Sequence, residues 1–190
     1  WSAHMEDLLS AFGEKAAGLR WLHTRSGGMW KKLSDQLTIT GIVMTSVASA
    51  AGFASTSLDG EAQTTMLYAV SCVGLLASLI QSLKKFYNAE EKAAAHASIA
   101  KQFGSFYRMM SMEMGMSRED RRPADALREL VTHEFDRLQM EAPSIGGGVI
   151  AAWKDAFPKV ENEPDICEDE FIIKIDGRLR EKVEEPADIV

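Results

Sequence analysis

Residues 30–60 read WKKLSDQLTITGIVMTSVASAAGFASTSLDG, and the reading of the whole chain turns on them. No charge occurs between Asp35 and Asp59, yet Ser, Thr, Gly and Ala fill much of the run. Such a stretch is either a helix that crosses a membrane or a small-residue helix buried in a soluble core. A second uncharged run, AQTTMLYAVSCVGLLASLIQSL (62–83), follows LDGE, whose Asp-Gly is a tight-turn signal. Each run is roughly 22 residues, or about 33 Å as a helix, which matches the hydrocarbon core of a bilayer. Two helices joined by so short a link are antiparallel neighbours.

Length argues for the membrane, because buried helices of a small domain rarely run this far without one face meeting water. The flanks argue more strongly. Arg20, Arg25, Lys31 and Lys32 precede the first run, Lys84 and Lys85 follow the second, and the link between them carries Asp59 and Glu61. That is the positive-inside pattern of a hairpin with both ends cytosolic. Trp21, Trp30, Phe86 and Tyr87 border the basic ends, where an interfacial belt places aromatics; with Lys31, Lys32, Lys84 and Lys85 they are the expected interface anchors. The Ser and Thr hydroxyls weaken insertion and can only bond back to their own helix. Gly41, Thr45, Ser49 and Gly52 in the first run, and Ser71, Gly74 and Ser78 in the second, are small residues at helical spacing. Such residues let helices approach closely in lipid. They have two readings: packing of the hairpin, or the lining of a narrow polar path built from several copies. Neither run holds a charge, so neither contains a proton relay or an ion-binding carboxylate.

The totals fit this picture without deciding it. The chain has 190 residues and a net charge of -7. The acidic balance argues against a general nucleic-acid binder. Its mean hydropathy of -0.13 averages polar flanks with apolar runs. Cys72 lies in an apolar run and Cys167 in an acidic tail, so a disulfide between them is not expected and a reducing compartment fits. The chain opens on Trp1 rather than Met, which leaves the true start open.

Around the hairpin the chain reads as helix. Leu8, Leu9, Phe12, Ala16, Leu19 and Leu22 have helical spacing, giving an amphipathic helix within 1–30 that ends at a breaker, SGG (26–28). Residues 31–88 form the hairpin, with spans at about 36–58 and 62–83. From Lys84 the proline-free KKFYNAEEKAAAHASIAKQFGSFYRMMSMEMGM continues the second span as one long helix. A further helix follows SRED, with Ser117 and Asp120 as a capping-box-like start and Pro123 either inside its first turns or restarting it. SIGGGVIAAWKDAFP gives a loop and a short helix, completing a cytosolic region at 89–158. The tail, 159–190, is acidic: its last thirty residues carry 11 acids against 4 bases around FIIKI, a candidate short strand. The expected fold class is thus all-α, a two-helix transmembrane hairpin with long cytosolic extensions and a small β segment in the tail.

No catalytic, cofactor or metal site is expected. His4, His23, His96 and His133 include no pair at i, i+4, and Glu91 and His96 are too far round a helix for one compact metal site. SIGGGVI lacks the Lys-Ser/Thr ending of a phosphate loop, and neither cysteine has a His and an acid nearby in sequence. The methionines of MMSMEMGM (109–116) read either as core or as an adaptable partner surface.

The order of parts resembles the SLATT family of two-span membrane proteins, in the versions encoded by large DNA viruses of algae and protists. The resemblance rests on Trp21, Leu22 and His23 before the span, on LTIT…ASAAGFA (37–54), and on Glu91, His96, Phe103, Phe106, Tyr107 and Arg108 after the second span. SRED with Arg121, and FDRLQMEAPSI (135–145), extend it to about residues 20–158. Thr40 stands where the family pattern has Pro, Ala142-Pro143 replaces Ser-Pro, and the tail after Pro158 has no counterpart. The resemblance implies a cytosolic helical part on a membrane hairpin, self-association, and, by analogy with bacterial relatives regarded as pore-forming effectors coupled to nucleotide sensors, a pore or ion channel. Phe103, Phe106, Tyr107 and Met110 are then the expected contacts between copies in a homo-oligomer. No sensor domain is visible, so a structural anchor in a virion or host-cell membrane is the rival, with a structural or sensor protein docking on the cytosolic region or acidic tail. A soluble helical adaptor is the third reading.

Overall fold

The computed structural model describes residues 1–168 and the backbone of 174–175 and 178–179. It is all-α, with α1 (Ala3–Ser55), α2 (Gly60–Tyr87), α3 (Ala89–Gly115), α4 (Ala124–Glu141) and α5 (Gly147–Ala156), then a 3-10 turn at Asp165–Cys167. No proline precedes Pro123, so nothing in the first three helices removes a backbone donor or clashes with the preceding turn. In the tail, Lys174 pairs with Leu179 and Ile175 with Arg178. Two residues per strand do not make a structural sheet, and the rest of the expected FIIKI strand lies outside the described residues.

Two compact units emerge, one from Trp1–His23 and Ser98 onward, the other from Thr24–Ala97. In the first, the core is an aliphatic and aromatic cluster. Leu9, Leu19 and Leu22 of α1 and Phe103, Phe106 and Met110 of α3 pack with Leu127, Val131, Phe135 and Leu138 of α4, and with Val149 and Trp153 of α5. The α4 residues fall every three or four positions, so α4 turns one continuous stripe to the core. Leu8, expected on the apolar face of α1, is exposed.

Local chemistry sets the helix boundaries. Pro123 restarts the chain as the residue before α4, accepting the first helical bond from the Leu127 N–H at 3.0 Å. The expected start at Ser117 is instead a closed turn, in which the Ser117 hydroxyl donates to Asp120 at 2.6 Å. Beside it, the buried carboxylate of Glu113 accepts the Arg122 backbone N–H at 2.8 Å, which ties down the crossing from α3 to α4. Glu6 of α1 receives Arg118 and Arg121, and Arg121 also donates to the Met114 and Met116 carbonyls.

The second unit corrects two expectations. There is no turn at 26–28: Ser26, Gly27 and Gly28 are all helical, within an α1 of 53 residues. A side chain at Gly27 would lie 3.3 Å from both the Ala93 carbonyl and the His96 Cβ, so this glycine serves a close helix approach rather than a turn. Nor is the long helix after Gly60 unbroken. Asn88 sits in the left-handed region (φ 45°, ψ 41°) and separates α2 from α3. Asparagine is among the few residues that tolerate this conformation. The hairpin link uses Gly60 at φ +65°, another left-handed position.

Candidate membrane hairpin

Within the second unit, α1 and α2 are long and apolar enough to cross a membrane. Only 6% of the most apolar window of each is buried. The outward side chains include many large aliphatic or aromatic ones: Ile39, Ile42, Val43, Val47 and Phe53 on α1, and Leu67, Tyr68, Leu75, Leu76, Leu79 and Leu83 on α2. A core helix of a soluble domain has the reverse pattern.

The two helices meet along a narrow seam. On α2 the covered residues are Gln63, Met66, Val70, Val73, Ala77, Ile80 and Lys84, alternating by three and four. On α1 they are Ser34, Leu37, Gly41, Met44, Ala48, Ala51 and Ser55, with the same alternation. That is an antiparallel heptad seam of the coiled-coil kind. Gly41 lies in it, and a side chain there would run into the Gln81 amide. Gly52, at its edge, would place a Cβ 3.7 Å from Val70.

The other small residues expected in hairpin packing are outside the seam. Thr45, Ser49, Ser71, Gly74 and Ser78 are exposed, and nothing lies within 4 Å of a side chain built on Gly74. Their placement is nonetheless ordered. In an antiparallel heptad pair, positions one and four residues beyond the first seam position fall on the same side of both helices. That side holds Thr38, Thr45, Ser49, Gly52 and Thr56 of α1 and Ser71, Gly74, Ser78 and Gln81 of α2, interrupted by Ile42 and Leu67. The opposite side holds Val43, Val47, Ala50 and Ala54 with Ala69, Cys72, Leu76, Leu79 and Leu83, interrupted by Thr40 and Thr65. The first side is the richer in hydroxyls and glycine, the second in aliphatic side chains.

Most of these hydroxyls are satisfied without water. Thr45 donates to the Gly41 carbonyl at 2.9 Å, Ser49 to that of Thr45 at 2.8 Å and Ser71 to that of Leu67 at 2.8 Å. Thr38, Ser55, Thr64 and Ser82 make equivalent bonds to carbonyls about one turn back. Ser78 lends its carbonyl to Ser82.

At the basic end, Lys31, Lys32 and Lys85 are exposed and Lys84 is half-buried. Phe86 is 80% exposed and meets Tyr87 edge to face at 5.5 Å. Trp30 stacks under the Lys92 ammonium, 4.5 Å from the ring centre. Trp21, expected as a fourth aromatic anchor, is half-buried in the first unit. Its indole packs edge to face on Trp153 and Phe157, 5.5 Å from each, within the aromatic cluster of the first unit.

Phe103, Phe106 and Met110 are likewise corrected as contacts between copies. All three are buried in the core of the first unit, where Phe103 stacks on His23 and meets Phe135 at 6.1 Å. A second copy could reach them only by opening that core. Tyr107 faces outward, with the Arg20 guanidinium 5.9 Å from its ring. The methionines divide between both readings: Met110 is core, Met112 and Met116 are exposed. Among the described residues no three His, Cys, Asp or Glu side chains converge closely enough to hold a metal. Compared with known proteins, the chain matches no family model, no curated protein and no solved structure.

Sequence reasoning missed the heptad seam and the break at Asn88. Alternation by three and four was there to be counted, whereas a lone Asn between Tyr87 and Ala89 carries almost no local signal.

Proposed function

We propose that the chain is a two-span membrane protein that self-associates through the hydroxyl-bearing side of its hairpin, with no enzymatic activity and no cofactor. The observation that carries the reading is that two long apolar helices are covered only along the seam they share, while most of their hydroxyls are turned back onto their own carbonyls. Lipid accepts the aliphatic side. The opposite side, with Thr45, Ser49, Gly52, Ser71, Gly74 and Ser78, gains little from acyl chains but allows close backbone approach of another helix. Several copies meeting there enclose a path lined by hydroxyls and small residues, so a weakly selective pore is the functional form of this arrangement. The basic end, with Lys31, Lys32, Lys84 and Lys85, is placed on the cytosolic side by the positive-inside rule, and Asp59 and Glu61 on the other. The order of parts that resembles SLATT proteins accords with the same reading.

The test is reconstitution. Purified protein is checked for resistance to carbonate extraction, for mass in detergent and for conductance in liposomes. A defined oligomer that conducts, with conductance lost in Gly74→Ile and kept in Leu76→Ile, is the expected result. A silent monomer in the bilayer sinks self-association and the pore; release by carbonate sinks the membrane assignment itself. The exposed Met112 and Met140 favour a second reading, an anchor whose helical module docks another protein through adaptable thioether surfaces. That reading expects stoichiometric co-purification of a partner, weakened by Met112→Lys, and no conductance.

A further inference from the structure

Where the second uncharged run ends, the last turn of α2 and the first turns of α3 enclose a hollow of about 610 Å3. The left-handed Asn88 produces the bend that forms it. Its polar lining is Gln81, Lys84, Lys85, Asn88, Glu90 and Glu91. Among the described residues none of these six side chains makes a hydrogen bond or an ion pair. Several other opposite charges are joined, as in Glu6 with Arg118, Arg137 with Glu134 and Glu141, and Lys15 with Asp165. Here two ammonium groups and two carboxylates surround one space and leave it unbridged.

We propose that this hollow binds the headgroup of a phosphatidylethanolamine lipid, its phosphate against Lys84 and Lys85 and its primary ammonium against Glu90 and Glu91. The assignment rests on the membrane reading, and depth supports it. Lys84 directly follows the uncharged run, the level at which a bilayer places phosphates. Glu90 and Glu91 follow across the bend at Asn88, in the first turn of α3, and line the same hollow as the lysines. Phosphate toward the core and ammonium outward is therefore the order of both the lipid and the lining. Charge balance selects among lipids: with two positive and two negative groups the lining is neutral, so an anionic headgroup would answer the lysines and leave the carboxylates facing like charge. A choline headgroup has no N–H to donate to Glu90 or Glu91. The exposed Phe86 and Tyr87 lie beside this hollow in sequence, at interface level in the membrane reading.

The full chain is reconstituted in vesicles of phosphatidylethanolamine, phosphatidylcholine and phosphatidylglycerol in equal parts. It is then extracted in mild detergent, and retained lipids are counted by native mass spectrometry. The expected result is several-fold enrichment of phosphatidylethanolamine over both others. Glu90→Gln with Glu91→Gln abolishes its advantage over phosphatidylcholine, and Lys84→Gln with Lys85→Gln lowers retention of all three. Enrichment of phosphatidylglycerol, equal retention, or an ethanolamine preference untouched by the glutamine pair at 90 and 91 overturns the proposal. So does displacement of the retained lipid by millimolar O-phosphoethanolamine, which would assign the hollow to a soluble headgroup. Failure to insert at all removes the membrane reading and this site together, while insertion without ethanolamine enrichment removes this site alone.

Discussion

Phe103→Ala separates a core role from an interface role at one position. Phe103 is fully buried, stacked on His23 at 5.8 Å and packed against Phe135 of α4. Removing its ring loses about 1.5–3 kcal/mol of transfer free energy. The space left behind adds to this at about 24 cal/mol per Å3, so a residual cavity of about 70 Å3 contributes roughly 1.7 kcal/mol more. The total of about 3–5 kcal/mol is a large share of the 5–15 kcal/mol that stabilises an ordinary domain. Melting of the first unit should fall by roughly 10–20 °C. Near-ultraviolet circular dichroism in detergent reads this directly, because Trp21 and Trp153 sit in the same unit and lose their fixed packing when it unfolds. Tyr107→Ala, one turn away and outward-facing, should lower the same transition by less than about 1 kcal/mol. If Phe103→Ala melts like the parent but changes the mass of the detergent complex, Phe103 is an interface residue and the core assignment is wrong.

Three further outcomes follow from single contacts. A Cβ at Gly18 would stand 2.5 Å from the Pro164 Cγ and 3.0 Å from the Trp153 Cη2, both in rigid rings. Gly18→Ala should therefore cost about 1–3 kcal/mol, whereas Gly28→Ala, helical and with nothing within 4 Å, should gain about 0.4–1 kcal/mol; paired melts decide. The Arg118 guanidinium, bonded to Glu6 with help from Arg121 and against the desolvation of the carboxyl, holds the Glu6 pKa at about 2. Because that value is depressed, its stabilisation is complete above pH 4.5 and is lost as pH falls toward 2; the advantage of the parent over Glu6→Gln should shrink across that window and nowhere else. Burial lowers the pKa of His96 from 6.5, so below that pH the unfolded chain takes up a proton that the folded one refuses. Stability of the second unit should fall with acidification from pH 6.5, and His96→Gln should remove that part of the slope; hydrogen exchange at Ala93–Ala97 measures it.

The absence of charge made the two long helices legible, since a run of side chains with no ionised group is visible in any single sequence. Their seam was harder. Gly41, Thr45 and Ser49 repeat every four residues, and counting by four follows a row that drifts around the helix, away from the partner. The seam alternates three and four, through Gly41, Met44, Ala48 and Ala51. The seven small residues were thus placed near the right line, but only Gly41 and Gly52 meet the partner helix. Phe103, Phe106 and Met110 show a different limit. Apolar residues at helical spacing fit a core and an interface equally well until the covering element is known, and α4 begins more than ten residues further on. Trp21 is an extreme case, since the ring it packs on belongs to Trp153, three intervening helices away.

The hydroxyls of the opening stretch finally favour one side of its ambiguity. Ser and Thr in an uncharged run suggest water if their oxygens need partners from outside. In α1 and α2 most of them bond to carbonyls about one turn back, so the run asks little of the solvent. Ile39, Val43, Val47, Phe53, Leu75, Leu76 and Leu79 meanwhile stand more than half exposed. At about 1 kcal/mol for each large side chain left half in water, holding these and their neighbours in an aqueous monomer forgoes roughly 10 kcal/mol, as much as a whole domain's net stability. Something apolar must cover them. The aliphatic side, Val43 to Ala54 of α1 and Ala69 to Leu83 of α2, ends where Lys84, Lys85 and the exposed Phe86 begin, which is the order the proposed bilayer placement expects.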